Sequence, residues 1–436
     1  MVKESAYQTI SETIDDNREE MIDFLLEFAN EQSPGGKEKE AGDYLYGWMS
    51  DHFDTEQQTV FEDRANVIGK MGGNDPGEGN SLIFNAHMDT GFGDRSKDEW
   101  VTAESHRVYY ECWRDGDHLY GDDIANDKGS MAAFLWGALA IADSGIELKN
   151  ELYLAGVIGE IQSATVDEYQ STAYHGTGSG TRHMVTHGGI TADCAVVAET
   201  TDYAIGQMEC GLAYFKLTFT DDVEYWPRLE FDSIEDVTTE FPGALHDASR
   251  AALRLHEWAT EYSTSHIQEY DHGTNIPTAG IGAFRSGVPY GPGHAPGKAA
   301  LYVIVFLPPG KRPEFVREDI RNVLREEDLE ADIELYNFAR GYIADRETVA
   351  PLVSNIEDAH EAVRGGAPPR PDPAIVSMWR DLNVLNEVGI PAVTFGPSRT
   401  TEEYSGTKHR CMHADDLVEA AKLYAYIALA TCGISE

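Results

Sequence analysis

Positive charge is what this chain has least of. Lys and Arg number 33 against 76 Asp and Glu, a formal net charge of −43 over 436 residues. Nucleic acid and anionic membranes are polyanions, so this balance excludes both as partners. Cysteine is scarce as well. The five present (Cys112, Cys194, Cys210, Cys411 and Cys432) are odd in number, widely spaced and free of any Cys-x-x-Cys pair. A disulfide framework and a cysteine-rich zinc site are thereby excluded, and reduced thiols in a cytoplasm are expected. No apolar run is long enough to span a bilayer. The first stretch, to about Asn30, is acidic and amphipathic rather than basic and then apolar, so it does not read as a signal peptide. Repeats and low-complexity linkers are also missing. The acidic residues are dispersed along the whole chain, not gathered in a tail. A surface of that kind stays hydrated and self-repelling when salt screens other charges, which suits a high-salt cytoplasm such as that of halophilic archaea.

The length exceeds one ordinary core and predicts two domains, or one domain with an insertion. Ile22, Leu25, Leu26 and Phe28 recur at helical spacing, Ser33–Gly36 breaks the pattern, and a second helix follows from about Glu38 to Phe53. Arg64–Gly69 reads as a short strand and Gly72–Gly77 as a Gly/Asn-rich turn. Ser81–Gly91 is an apolar strand that ends in His87, with Asp89 two residues on. The polar loop Tyr120–Ser130 feeds a helix over Met131–Asp143. Glu151–Ile161 is a very apolar strand with Glu160 at its end, and Ala192–Glu199 is another that ends in an acid. Alternating strands and helices of this kind predict an α/β layered domain. Composition then changes. Strand Ala213–Thr220, an acidic loop, helix Leu245–Tyr262, strands Thr278–Phe284 and Ala299–Phe306, helix Pro313–Leu324 and strand Ala331–Tyr336 form a compact inserted module. Helix Ala350–Arg364, the Pro-rich loop Pro368–Pro373, strand Ala392–Phe395 and helix Asp415–Cys432 return to the first domain. The expected division is 1–208 and 339–436 for one domain and 209–338 for the other.

The strand-end and loop groups, in order, are His87, Asp89, Asn126 or Asp127, Glu160, Glu199, Asp381 and His409 or His413. A neutral imidazole at a strand end is a good ligand for zinc, cobalt or manganese. A carboxylate two residues on could hold the other ring nitrogen and fix its tautomer. Taken alone, His-x-Asp reads better as a strand closing in two polar turn residues. The ordered company changes that balance.

In that order the chain resembles the co-catalytic metallohydrolases related to acetylornithine deacetylase, succinyl-diaminopimelate desuccinylase, aminoacylase and glutamate carboxypeptidase. His87-Met-Asp89 resembles the family's HxD, and Gly121 to Gly129 its G-x-x-x-D-x-K-G loop. Gly159-Glu160 resembles the acidic strand end, and Glu199-Thr200 the E-P-T. Ile276 to Gly287, strand Tyr302–Phe306 and Pro308–Gly310 resemble the lid, and Trp379 to Pro397 the last core segment. The resemblance implies a mixed-sheet, three-layer catalytic domain with an inserted ferredoxin-like α+β lid or dimerisation domain, in a cytoplasmic homodimer. It also implies one or two Zn²⁺ (or Mn²⁺ or Co²⁺) ions per chain and hydrolysis of a linear amide in an N-acyl amino acid or small peptide-like substrate. His87, Asn126 or Asp127, Glu199 and His413 (His409 if the loop bulges) would be ligands. Glu160 would be the general base, with Asp89 behind His87.

Two departures stand out. Aligning Lys128-Gly129 places Asn126 where the family carries its bridging Asp, with Asp127 one residue late. The family's two adjacent acids are reduced to Glu160 between Gly159 and Ile161. With Glu160 as base, a single ion on His87, Glu199 and Asn126 or Asp127 remains coherent. With Asp127 bridging and Glu160 a ligand, two ions remain but another base is needed. A member that binds a small molecule without hydrolysis, and a mononuclear enzyme carrying out a related deamination, are the rival readings. Arg380 could read a substrate carboxylate or pair with Asp381, and Arg285 could read one or lie on the surface. The lid histidine that often holds the oxyanion in this family has no counterpart in the acidic, aromatic stretch Asp221 to Pro227. His246 or His272 could substitute for it, and His175, His183 and His187 lie in the stretch after Glu160.

Overall fold

The computed structural model describes residues 4–73, 79–91, 107–161, 166, 175–226, 243–287, 291–398, 400–404 and 407–435. Part of the Gly/Asn-rich turn (74–77) and much of the acidic loop of the inserted module (227–242) lie outside the described residues. The chain forms two compact units. The first comprises residues 1–208, 343–375 and 380–436, and the second 209–342 with 376–379.

The first unit is built on a six-stranded mixed sheet. Its strands are β1 (Asp54–Phe61), β2 (Arg64–Gly72), β3 (Leu82–His87), β4 (Glu151–Val157), β5 (Cys194–Ala198) and β6 (Ala392–Phe395), in the spatial order β1-β2-β4-β3-β5-β6. β3, β4, β5 and β6 run parallel, while β1 and β2 add an antiparallel edge. Side chains alternate across a pleated strand, and the core divides accordingly. Leu82 and Phe84 of β3, Val196 of β5 and Phe395 of β6 face one apolar cluster with the helices Arg18–Asn30, Gly129–Asp143 and Ala414–Cys432. Ile83, Val197 and Ala392 face a second cluster with the helices Ser179–Thr186 and Leu382–Glu387. Both faces are thus covered, which is why these strands are continuous apolar runs. A buried Glu38–Arg64 pair, bridged by bonds of 2.7 and 2.5 Å, ties the start of helix Lys39–Ser50 to β2.

Three details depart from the sequence reading. The strand read over Glu151–Ile161 stops at Val157, so Glu160 lies in the turn beyond it. Ile124–Lys128 winds into a short wide turn directly before the Gly129–Asp143 helix. Thr400–Tyr404, Thr407–His413, His118–Tyr120 and Trp113–Asp115 form an antiparallel sheet over stretches that the sequence reading assigns to no strand. Among the described residues, no helix is long and apolar enough to cross a membrane.

The second unit is a four-stranded antiparallel sheet. Its spatial order is Ala279–Ser286, Lys298–Leu307, Gly211–Thr220, Asp332–Ala339. Helix Ala244–Ser265 follows the first strand in the chain and helix Pro313–Glu326 the third, giving the β-α-β-β-α-β order of a ferredoxin-like fold. Ala248, Leu255 and Tyr262 of one helix and Val316 and Ile320 of the other bury against Phe215, Leu301 and Val303 of the sheet.

Candidate metal centre

Three parallel strands deliver the site. β3 lies between β4 and β5 in parallel register with both, so their carboxyl ends open at one edge, where open α/β sheets bind ligands. His87 closes β3, Glu199 follows β5 by one residue, and Glu160 follows β4 by three. The turn that carries Glu160 pivots on Gly159 at φ +64°, where a Cβ would meet Ser179 Oγ at 2.5 Å. Asp127 arrives from the turn before the Gly129–Asp143 helix. A Cβ at Gly129 would lie 2.5 Å from the Ile124 carbonyl, so only glycine lets that turn close.

One ligand atom each from His87, Asp127 and Glu199 lie within 4.8 Å of one another, all buried. The His87 ring donates from Nδ1 to the backbone carbonyl of Asp89 at 2.8 Å. That bond puts the ring proton on Nδ1 and leaves the Nε2 lone pair for a ligand. Nε2 lies 3.9 Å from Glu160 Oε2 and 3.9 Å from Glu199 Oε1. Both oxygens of Asp127 are buried without a hydrogen-bond partner. A buried carboxylate in that condition is costly unless a cation answers it. Glu199 is held from its other side by Arg380, with Nε 3.1 Å from Oε2, and Arg380 Nη1 donates to the Ile375 carbonyl at 2.5 Å. Thr200 donates to the Ala125 carbonyl at 3.1 Å, which fastens the end of β5 to the turn carrying Asp127.

The electrostatics are those of crowded acids. Burial pushes the Asp127 carboxyl well above its ordinary range; Glu199 adds repulsion, and Ser130 and Arg380 oppose it. Burial does the same to Glu160, with further repulsion from Glu199, Asp381 and Asp89. Asp381 is pushed up to about 6 by burial, against hydrogen bonds from Thr181 and Asn85. One nitrogen and two carboxylates, rich in negative charge and short of donors, fit a divalent cation.

The residues read from the sequence separate here. His87, Asp127, Glu199 and Glu160 come together. Asn126 is half-buried on the same turn, and it is the next residue, Asp127, that enters the cluster. Asp89 lies behind His87, but its backbone carbonyl, not its carboxylate, takes the ring proton. The carboxylate accepts the backbone N–H groups of Glu160 at 3.0 Å and Ile161 at 2.8 Å, and so pins the turn of the prospective base. His413 caps a helix, its Nδ1 accepting the N–H of Asp415 at 3.2 Å at the start of the Ala414–Cys432 helix, and it is not in the three-residue cluster. His409 is buried in the Thr407–His413 strand beside the rings of Trp113 and Tyr120, and is not in the cluster either. Arg380 faces Glu199 rather than Asp381. Arg285 is half-buried on the Ala279–Ser286 strand of the second unit. Asn85 and Thr181, which bind Asp381 at 3.2 and 2.5 Å, escaped the sequence reading. Asn85 carried a signal, since a polar side chain two residues before His87 must share its face of the strand.

The profile of Peptidase family M20/M25/M40 matches residues 83–430. The N-formyl-4-amino-5-aminomethyl-2-methylpyrimidine deformylase of Bacillus subtilis (strain 168) is 26% identical over 202 residues. That match takes in 45% of this chain and 42% of the deformylase, so it spans less than half of the curated relative's length. Human carnosine dipeptidase 1 superposes with a TM-score of 0.69 over 98% of both chains at 14% identity. The metallo-carboxypeptidase Sso-CP2 of Sulfolobus solfataricus superposes with a TM-score of 0.62, over 94% of this chain and 99% of that one, at 16% identity. The profile covers most of the chain: the chain belongs to Peptidase family M20/M25/M40.

Proposed function

We propose that this protein is a metal-dependent hydrolase of a linear amide, with one divalent ion held by His87, Asp127 and Glu199 and with Glu160 as general base. The observation that carries the reading is the buried, partnerless Asp127 carboxylate beside His87 and Glu199. An ion bound there would supply a Lewis acid for the scissile carbonyl and for the attacking water. The rest is the work of side chains. Glu160 Oε2, 3.9 Å from His87 Nε2, is placed to take a proton from water and pass it to the leaving nitrogen. Its raised proton affinity suits a group that must hold that proton between the two steps. Asp89 positions the base by gripping the backbone of Glu160 and Ile161. Arg380 keeps Glu199 oriented. The family's amide chemistry and the deformylase name of the curated relative favour an N-acyl amino acid or another small amide, such as a dipeptide.

Purified protein in molar KCl is expected to carry one zinc, manganese or cobalt ion per chain and to lose hydrolysis on chelation. The panel that locates the substrate runs through N-formyl, N-acetyl, N-succinyl and dipeptide amides. Absence of any bound ion, with activity indifferent to chelator, would sink the proposal. Two ions per chain would make Asp127 a bridge. Asp89→Ala separates positioning from chemistry. It is expected to lower turnover by about 10- to 100-fold while ion affinity changes much less, because the Glu160 turn loses its anchor and the His87 ring keeps the backbone carbonyl of residue 89. Titration calorimetry with zinc, beside steady-state kinetics, reads both effects.

We also propose a cytoplasmic homodimer formed through the second unit in a high-salt cell. Mass by light scattering in molar KCl tests the dimer. A melting temperature that climbs with KCl tests the salt adaptation, since screening relieves the repulsion of a −43 chain.

A further inference from the structure

Glu160 stands beyond Val157, where β4 ends, so no strand ladder fixes it. Asp89 grips its turn on one side, through the N–H groups of Glu160 and Ile161. The segment 175–180 grips the other side. Thr177 N–H donates to the Glu160 carbonyl at 3.1 Å, Ser179 N–H to the Gly159 carbonyl at 3.2 Å and Gly180 N–H to the Ile158 carbonyl at 3.1 Å. Two irregular runs of backbone are thus laced together directly beneath the prospective base. The lacing is strained: Thr177 is held at φ +58° and Gly178 follows at +71°. A β-branched residue rarely adopts that left-handed conformation, and it persists only where the surroundings over-determine it.

Those surroundings come from β2. Antiparallel pairing sets the start of β2 beside the end of β4. Side chains two apart on a strand share a face, and Ile68 on that face of β2 clusters with Met184 of the Ser179–Thr186 helix. Asn66 and Arg64 precede it at the same spacing. Asn66 is fully buried. Its Oδ1 accepts the Ile158 N–H at 3.1 Å and its Nδ2 donates to the Gly180 carbonyl at 2.9 Å. One amide therefore bridges the two runs, and flipping it would set donor against donor and acceptor against acceptor. A Cβ at Gly180 would lie 2.2 Å from the Ile158 carbonyl and 2.6 Å from Asn66 Oδ1, so only glycine permits the approach. Arg64, also buried, donates from Nη1 to the His175 carbonyl at 2.9 Å, while Glu38 holds the rest of its guanidinium. We propose that Asn66 is a positioning residue for Glu160, acting through the backbone of Ile158 and Gly180, with Arg64 as the outer anchor of the same segment. The inference rests on the reading of Glu160 as base.

The test is a double-mutant cycle in the full-length protein, assayed with the fastest amide of the N-formyl, N-acetyl, N-succinyl and dipeptide panel. Asn66→Ala is expected to lower kcat by about 10- to 100-fold, the cost of a base displaced by about 1 Å, with KM and bound zinc unchanged. In a Glu160→Gln background the same substitution should cost almost nothing further, because no base is left to misplace. A residue that merely supports the fold would give losses that multiply. Hydrogen exchange supplies a readout independent of turnover: the amides of Ile158, Glu160 and Gly180 should open more readily in Asn66→Ala, and those of the second unit should not. The Asn66 bonds also stabilise the fold, so Glu38→Leu with Arg64→Met provides the second test. Replacing a buried ion pair whole is often neutral for stability, and the pair removes the bond to the His175 carbonyl; kcat should fall in the same direction and again not in the Glu160→Gln background. Multiplying losses, a loss of zinc, or unchanged kcat and exchange would overturn the positioning role and leave the base in place. Glu160→Gln with full turnover would overturn both.

Discussion

Glu160→Gln is expected to lower hydrolysis by about 100- to 10,000-fold, the range that general acid–base catalysis supplies, while the bound ion stays in place. Gln has the shape of Glu and leaves the backbone bonds to Asp89 intact, because those come from the N–H groups of Glu160 and Ile161. What changes is the charge. Glu160 is buried and repelled by Glu199, Asp381 and Asp89, so its neutral replacement removes repulsion from the folded state. The variant should therefore melt no lower than the parent, and a loss of activity cannot be blamed on unfolding. His87, Asp127 and Glu199 remain to bind the ion. Loss of the ion in Glu160→Gln would make Glu160 a ligand and shift the search for the base elsewhere. Asp127→Asn is the mirror image: it should lose the ion first and activity as a consequence. Metal analysis and single-turnover kinetics on the two variants side by side tell base from ligand.

The sequence was most legible where one force dominated. Apolar runs such as Ser81–His87 and Ala192–Glu199 could only be buried strands, and each delivers its terminal polar residue to the sheet edge. The inserted module was legible for the same reason, its strands and helices falling within a few residues of the periodic segments. The site was less legible where backbone geometry decides. Periodicity cannot say which of Asn126 and Asp127 faces inward, because the wide turn over Ile124–Lys128 has no fixed period. It could not show that the Asp89 carbonyl, rather than its carboxylate, would hold His87. His413 stands at the helix N-cap, where spacing before an apolar helix makes a cap and a ligand look alike. The sheet formed by Trp113–Tyr120 and Thr400–His413 was hidden because its strands are short, and the two hairpins that make it are joined only by the pairing of Thr407–His413 with His118–Tyr120, far apart in the chain.

The ion should stabilise the fold strongly, and more so as the pH rises. Without it, Asp127 and Glu160 have carboxyl pKa values raised well above the usual range, and Asp381 stands near 6. In an unfolded chain such groups titrate near 3.9 to 4.3. The folded, metal-free protein therefore holds protons that the unfolded chain has already released. These groups favour the fold at low pH, and that advantage disappears as pH rises past the unfolded values and through the folded ones. Metal-free protein is thus expected to lose stability between pH 5 and pH 7.5. The bound ion takes over the role of those protons, and because protons compete for the same oxygens its affinity grows over the same interval. At a free ion concentration about 1,000-fold above Kd the stabilisation is about 4 kcal/mol. The same total ion should therefore raise the melting temperature much more at pH 7.5 than at pH 5.5. The acid-rich surface also destabilises the fold as pH rises, so the contribution of the site is read by difference. Asp127→Asn keeps the surface charge but removes a competing proton site and a ligand, and should flatten both the metal-free pH dependence and the metal-induced shift. Thermal melts of parent and variant, with and without zinc at both pH values, carry the test. An equal metal shift at the two pH values, or a shift that survives in Asp127→Asn, would place the ion away from the carboxylates around His87.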